Sequence, residues 1–337
     1  MEAPPIHSAL LLTTTWVFDR PGAPAPPSPL TRVGGLSLVL RTILTLQRGG
    51  VTRIIVLGGA ETGALRRQLQ GDPRVQAEVR WLPVREFPPS DPRTWEVLAS
   101  LFSAPYLVVG TSAVFPVSLV ARVREEGRKG EPVVVMRDAV LRQACPEHSR
   151  GSQREQVGGE AGGVVTVETA VTLALNVNLV LIPEGFVSPG WASPQDSPQP
   201  LQAALERGVR QGQVKVLPLE PDWYREVSGG KTGVAESIEE AEWALLRSLK
   251  GGLEGYVDRH FNRKCSQWIT QFLVHTPLTP NAVTYLATVV GLLAAGAFAM
   301  GGYTAGVLGA LLFQLSAILD CCDGEVARLK FLESRFG

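Results

Sequence analysis

Two carboxylates, Asp320 and Asp323, stand three residues apart in the stretch Asp320-Cys-Cys-Asp323-Gly324-Glu-Val-Ala327-Arg328. On a helix, positions 320, 323, 324 and 327 share one face, so the two acids lie beside Gly324 and Ala327, where there is almost no bulk. Carboxylate oxygens at this spacing suit a hard divalent cation, Mg²⁺ or Mn²⁺. The small neighbours let a ligand lie against the backbone. Taken alone, the same residues also describe a helix end with two solvated acids. What precedes them argues against that reading: from Cys265 to Leu319 there is no Asp, Glu, Lys or Arg. Acids emerging from such a run lie at a membrane surface.

The elements that must position this face are two apolar runs, residues 283–300 and 303–319, separated by Gly301-Gly302. Each is near the lower limit for crossing about 30 Å of hydrocarbon. Arg247, Lys250, Arg259, Arg263 and Lys264 precede them, and Arg328, Lys330 and Arg335 follow. Positive flanks at both outer ends predict a transmembrane hairpin with both ends cytoplasmic and a short external turn. Gly291, Ala294, Ala295, Gly296, Gly306, Gly309 and Ala310 allow close helix packing. Before the hairpin, Val257, Phe261, Trp268, Ile269, Phe272 and Leu273 fall at helical spacing among basic residues. Residues 254–275 therefore predict an interfacial helix. Thr276-Pro-Leu-Thr279-Pro-Asn281 breaks it, and Thr279 or Asn281 can cap the next helix.

The remainder, residues 1–250, alternates short apolar runs with helical patterns. Strands are expected at 9–17, 53–57, 106–109, 132–136, 164–167 and 178–182. Helices are expected at 36–47, 64–69, 116–124, 201–210 and 238–249. Such alternation predicts a three-layer α/β domain with a mostly parallel sheet. Residues 21–29, 148–163 and 188–200 read as loops. Gly58-Gly-Ala-Glu-Thr-Gly63 is a poor dinucleotide loop, with Ala at its third position, and reads as a plain strand-to-helix turn. Lys plus Arg and Asp plus Glu both number 32, so charge gives no argument for a nucleic-acid partner. Cys145, Cys265, Cys321 and Cys322 show no metal or disulfide spacing, and the absence of a basic-then-apolar leader gives the expectation that the first domain is cytoplasmic.

The pattern D-x-x-D-G-x-x-A-R-x8-G, from Asp320 to Gly337, resembles the signature of the CDP-alcohol phosphatidyltransferases. Gly255-Tyr-Val-Asp-Arg-His-Phe-Asn-Arg263 and Thr279-Pro-Asn281-Ala-Val-Thr284 are similar to that family's juxtamembrane and first membrane segments. Leu30-Thr-Arg-Val-Gly-Gly35 and the strand after Gly50 resemble nucleotidyltransferases that make nucleotide-sugars or CDP-alcohols. The order of the two halves is similar to bifunctional inositol-1-phosphate cytidylyltransferase / CDP-inositol phosphotransferases. The first half departs from the pattern. Thr13-Thr-Thr-Trp16 stands where a Gly-rich phosphate loop is expected, Thr111 where a metal carboxylate is expected, and Glu226 only approximates a third position. So the resemblance there implies the fold but a degenerate site.

The resemblance implies transfer of a phospho-alcohol group from a CDP-linked donor to a hydroxyl acceptor, inositol phosphate or a lipid, with release of CMP. Asp320 and Asp323 would hold Mg²⁺ or Mn²⁺, Gly324 and Ala327 would admit the cytidine, and Arg328 would support the site. Asn281 and Thr284 would line the nucleotide pocket, although capping is an equal reading for both. The expected partners are donor, acceptor, lipid bilayer and a second copy of the chain, with no nucleic acid. The expected location is a cell inner membrane, multi-pass, with the site on the cytoplasmic side. Two domains are expected, 1–250 and 251–337. The family motif continues with two more aspartates beyond the position of Gly337, and with four more membrane helices, so a fragment unable to turn over alone is expected. Two alternatives remain: a membrane-anchored nucleotide-binding or regulatory module without chemistry, and an active cytidylyltransferase in the first domain.

Overall fold

The computed structural model describes residues 6–13, 27–102, 104–127, 130–137, 179–188, 190–192, 199–219, 225–227, 234–249 and 262–333. In chain order its elements are β1 (Ser8–Leu12), β2 (Arg32–Val33), β3 (Leu36–Ser37), α1 (Leu38–Arg48), β4 (Arg53–Gly58), α2 (Thr62–Gln70), β5 (Glu78–Pro83), α3 (Pro92–Leu101) and β6 (Tyr106–Gly110). There follow β7 (Ala113–Val114), α4 (Val117–Glu126), β8 (Val133–Arg137), β9 (Leu179–Ile182), α5 (Pro200–Arg210), β10 (Lys215–Leu219), β11 (Arg225–Glu226) and α6 (Val234–Ser248). The last three are α7 (Arg263–Val274), α8 (Pro280–Ala299) and α9 (Tyr303–Leu329). The chain divides into two compact units: 1–31 with 38–237, and 32–37 with 238–337.

The first unit is built on a seven-stranded sheet of order β10-β8-β9-β6-β1-β4-β5. Every pairing is parallel except those of β9, which runs against β6 and β8. Both faces are covered, which is why the central strands are nearly continuous apolar runs rather than alternating ones. On one face Leu10, Leu12, Ile55, Leu57, Tyr106, Val108, Val134, Val180 and Ile182 pack with Trp95 and Leu98 of α3 and Leu201 and Leu205 of α5. On the other, α4 lies so close to β9 that a side chain at Gly127 would run into Leu181. Val120 of α4 similarly closes over Gly49, just beyond α1. The result is three layers.

Several boundaries differ from the sequence reading. The helix expected from Leu36 begins at Leu38, because Arg32–Val33 and Leu36–Ser37 pair as a hairpin. Its turn, Gly34-Gly35, has φ +57° and +77°, the left-handed pair a tight hairpin requires. β1 ends at Leu12, and residues 14–17 of the long strand expected there lie outside the described residues, as does the strand expected at 164–167. Among the elements with no counterpart in the sequence reading, besides the short two-residue strands, are β5, β10 and α3. β5 is a half-exposed edge strand, β10 carries Pro218, and α3 is announced only by its cap, where Asp91 accepts from Arg93 N at 2.9 Å and Pro92 opens the helix.

The second unit contains the β2–β3 hairpin, the body of α6, and α7 to α9. Helices α8 and α9, 20 and 27 residues long, are long and apolar enough to cross a membrane, roughly 30 and 40 Å at the helical rise. They run antiparallel through Gly301 and Gly302, at φ +66° and +87°. Small residues set their approach: a Cβ at Gly309 would stand 3.0 Å from the Phe298 ring, and one at Gly291 3.2 Å from Ser316 Oγ. Ser316 Oγ donates to Ala287 O at 2.8 Å. Tyr285, Val289, Leu292, Leu293, Leu311 and Phe313 are exposed on the outside of the pair. A hairpin buried in a soluble core would cover such side chains, whereas lipid accommodates them. Two such helices, apolar along their exposed faces, are of the kind that crosses a membrane.

Candidate active site

Helix α9 continues without a break from the apolar run through the acidic stretch, so the two segments form one rod. Its two faces divide the work there. Ile318, Leu319, Cys322, Glu325, Val326 and Leu329 are buried. Ile318 and Cys322 pack with Val283 of α8 and with Cys265, Ile269 and Leu273 of α7. The other face carries Asp320, exposed, and Asp323, Gly324 and Ala327, half-buried. The expected grouping on one face is therefore what the fold presents. A Cβ built at Gly324 meets nothing within 4 Å, so the space above the backbone there is open.

The buried face contains a carboxylate that the sequence reading passed over. Glu325 accepts from Ser266 Oγ at 3.0 Å and from Thr270 Oγ1 at 2.7 Å, both on α7. A buried carboxylate is tolerated only where donors replace its water, and the two hydroxyls do so here. Its signal in the sequence was an acid placed at i+3 from Cys322 on an otherwise apolar stripe. Lys330, also buried, donates from Nζ to Thr276 O at 2.9 Å and Leu278 O at 3.2 Å. The end of α9 is thus fixed to α7 and to the turn before α8. The outer edge of α7 carries Trp268 and Phe272, 60% and 61% exposed, with rings edge-to-face at 5.0 Å. That pair suits the headgroup layer expected for this helix; residues 254–261 of the expected segment lie outside the described residues.

The remaining candidate residues fall as follows. Thr279 is the N-cap of α8, accepting from Ala282 N at 3.3 Å, so the cap belongs to it and not to Asn281, which is exposed. Thr284 Oγ1 donates to Asp323 Oδ2 at 2.6 Å across the hairpin. Asp320 has no side-chain partner among the described residues. Arg328 is exposed and turns from the acids toward Leu249 O, at 3.3 Å, and Glu333, at 3.8 Å. Among the described residues no three His, Cys, Asp or Glu side chains gather into a cluster. The donor set still fits a hard cation in kind: among the described residues Asp320 has both oxygens free and Asp323 retains one, and the space beside Gly324 is open. These two carboxylates would supply part of such an ion's coordination.

The corresponding edge of the first unit looks different. Strand order reverses between β1 and β6, and the crevice past their C-terminal ends is where open α/β sheets bind ligands. There Thr13 Oγ1 donates to Leu57 O at 2.8 Å. Thr111, 3% exposed, gives its N–H to Leu12 O at 3.1 Å, and its hydroxyl reaches the same oxygen at 3.4 Å. Both hydroxyls are committed to strand carbonyls. Residues 14–26 and the side chain of Glu226 lie outside the description. The Gly58–Gly63 segment is the plain turn expected, since Thr62 Oγ1 folds back to Gly59 O at 2.6 Å beneath Gly58.

Residues 277–337 match the CDP-alcohol phosphatidyltransferase family. The C-terminal end of the chain therefore carries a domain of that kind, behind an α/β unit. Among named relatives, "Bifunctional IPC transferase and DIPP synthase" of Aquifex aeolicus is 36% identical over 103 residues, 30% of this chain and 23% of that one. The protein of the same name from Rubrobacter xylanophilus is 29% identical over 330 residues, 92% of this chain and 68% of that one. The chain spans about a quarter of the Aquifex relative's length over that match. Among solved structures, the inositol-1-phosphate CTP transferase from T. maritima aligns at TM-score 0.46 and 13% identity, over 72% of this chain and 98% of that one. The 4-diphosphocytidyl-2C-methyl-D-erythritol synthase from Anaerococcus prevotii aligns at 0.47 and 12%, over 71% and 98%.

Proposed function

We propose that the whole protein is a membrane CDP-alcohol phosphotransferase working at the end of α9. The acceptor hydroxyl attacks the phosphorus that bears the donor's alcohol. The bond from that phosphorus to CMP breaks, CMP leaves, and the acceptor's proton passes to a base. Asp320 and Asp323 hold the divalent ion, which when bound neutralises the pyrophosphate and steadies the leaving group. Gly324 and Ala327 let the nucleotide approach the helix backbone, Asn281 borders the pocket from α8, and Arg328 adds positive charge at its rim. Inositol phosphate is the preferred acceptor class, from the two-domain order shared with the bifunctional relatives. The site faces the cytoplasm of an inner-membrane protein, which the basic residues outside the hairpin support.

The observation that carries this reading is the open acidic face of Asp320, Asp323 and Gly324 at the end of a membrane-length helix. The first unit, in this reading, keeps a nucleotidyltransferase-like fold without nucleotidyl transfer, because Thr13 and Thr111 turn inward where a phosphate cradle and a metal carboxylate would be needed. Sealed vesicles test both site and sidedness. CMP release should require donor, acceptor and Mg²⁺ or Mn²⁺ together, and should occur only in vesicles with the cytoplasmic face outward. Release without acceptor, or equal release in right-side-out vesicles, would contradict the proposal.

A further inference from the structure

Among the described residues the hydroxyl of Thr284 is the one polar group that reaches from α8 to the carboxylate pair on α9, and its geometry is unlike that of the next threonine along. A threonine inside a helix ordinarily returns its proton to the carbonyl four residues back. Thr288 does so, with Oγ1 2.9 Å from Thr284 O. Thr284 has that option as well, since Pro280 O lies at 3.2 Å. Its contact with Asp323 Oδ2, at 2.6 Å, is much the shorter. A hydroxyl has one proton to give, and a bond to an ionised acceptor is shorter and about twice as strong as one to a neutral carbonyl. The proton therefore belongs to Asp323.

We infer that Thr284 is a positioning residue for the metal-holding carboxylate, rather than a ligand of the nucleotide. This rests on the assignment of Asp320 and Asp323 as the groups that hold the cation. By taking one lone pair of Oδ2, the hydroxyl fixes the rotation of the Asp323 carboxylate and leaves Oδ1 free to face the ion. Asp320, with no side-chain partner among the described residues, stays free to adjust. One acid is preset and the other adaptable. Thr284 is itself exposed, so its methyl contributes little packing. A hydrogen bond to a metal ligand commonly changes metal affinity by about 10- to 100-fold when removed.

The test is Mn²⁺ binding to the whole protein in nanodiscs, followed by the electron paramagnetic resonance of free Mn²⁺ with no nucleotide present. Thr284→Val keeps the shape and loses the hydroxyl, and should weaken Mn²⁺ binding by about 10- to 100-fold. Thr284→Ser keeps the hydroxyl and should bind as wild type, and Thr288→Val, which loses only a back-bond, should do the same. Unchanged Mn²⁺ binding in Thr284→Val, with a raised KM for the CDP-linked donor, overturns the inference and makes Thr284 a substrate ligand. Equal weakening in the Val and Ser variants overturns it in favour of packing. If wild type binds no Mn²⁺ that Asp320→Asn removes, the metal assignment itself fails, and the role given to Thr284 fails with it.

Discussion

The crevice beyond β1 and β6 and the end of α9 treat polar side chains in opposite ways. At the first, Thr13 and Thr111 are buried and bonded to the carbonyls of Leu57 and Leu12. Their donors complete the edge of the sheet. At the second, Asp320 is exposed and without a side-chain partner among the described residues, while Asp323 is held by a single hydroxyl from α8. Groups that stabilise a fold are satisfied within it. Groups that meet a charged ligand must be left partly unsatisfied, and the surroundings bear that cost. Glu325, two residues from Asp323, shows that the contrast is not one of residue type: it is a carboxylate buried between helices and supplied with two donors.

The largest effect expected from disturbing this comparison is at Thr111. Thr111→Asp would place a carboxylate where the hydroxyl now reaches the Leu12 carbonyl oxygen at 3.4 Å, in a position 3% exposed. An unpaired buried charge costs several kcal/mol. Thermal unfolding of the protein should therefore shift strongly downward, with no gain of function. Near-normal stability together with pyrophosphate release from CTP would show that the crevice is a site lacking only one ligand. That would erase the distinction.

A smaller effect is expected at the clamp on α9. The double substitution Ser266→Ala, Thr270→Ala strips two donors from Glu325, and a buried polar group left short of partners costs about 1–3 kcal/mol. Unfolding in mixed micelles should register that loss, while Mn²⁺ binding should fall far less than in Asp320→Asn. If both change equally, the two faces of α9 are not separable.

The smallest lies in the first unit, at Asp72. Arg74 hydrogen-bonds its carboxyl and holds it below the ordinary carboxylate value. Its folded value is the lower one. The stabilisation is therefore complete above the unfolded value and is lost as pH falls through the lowered one. Arg74→Ala should cost about 0.5 kcal/mol near neutrality and nothing in strong acid. Urea midpoints across that range measure it, and a constant difference at every pH would contradict the assignment.

How much of this was legible in the sequence follows from what each part depends on. The hairpin and the acidic face were readable because lipid imposes simple rules: long runs without charge, small residues where helices touch, basic residues outside. Helix periodicity then brings positions 320, 323, 324 and 327 together without reference to any other element. The central strands could be read because both faces of the sheet are covered. β5 and β10 could not, since one is half-exposed and the other holds Pro218, and neither pattern separates an edge strand from a loop. Arg328 was expected beside the acids, and only the fold shows it turned to Leu249 and Glu333. The hydroxyl of Thr284 meets a residue 39 positions away, and no local spacing encodes such a contact.

The central claim is that chemistry resides at the exposed acids of α9, and CMP release by the Asp320→Asn variant of the whole protein tests it most directly. Removing one charged ligand while keeping the side chain's shape costs several kcal/mol of ground- and transition-state stabilisation, which is a hundredfold or more in rate. The account predicts at least that loss with saturating donor, acceptor and Mg²⁺, and an unfolding midpoint like that of wild type. A variant that folds normally and still releases CMP at the wild-type rate would contradict it.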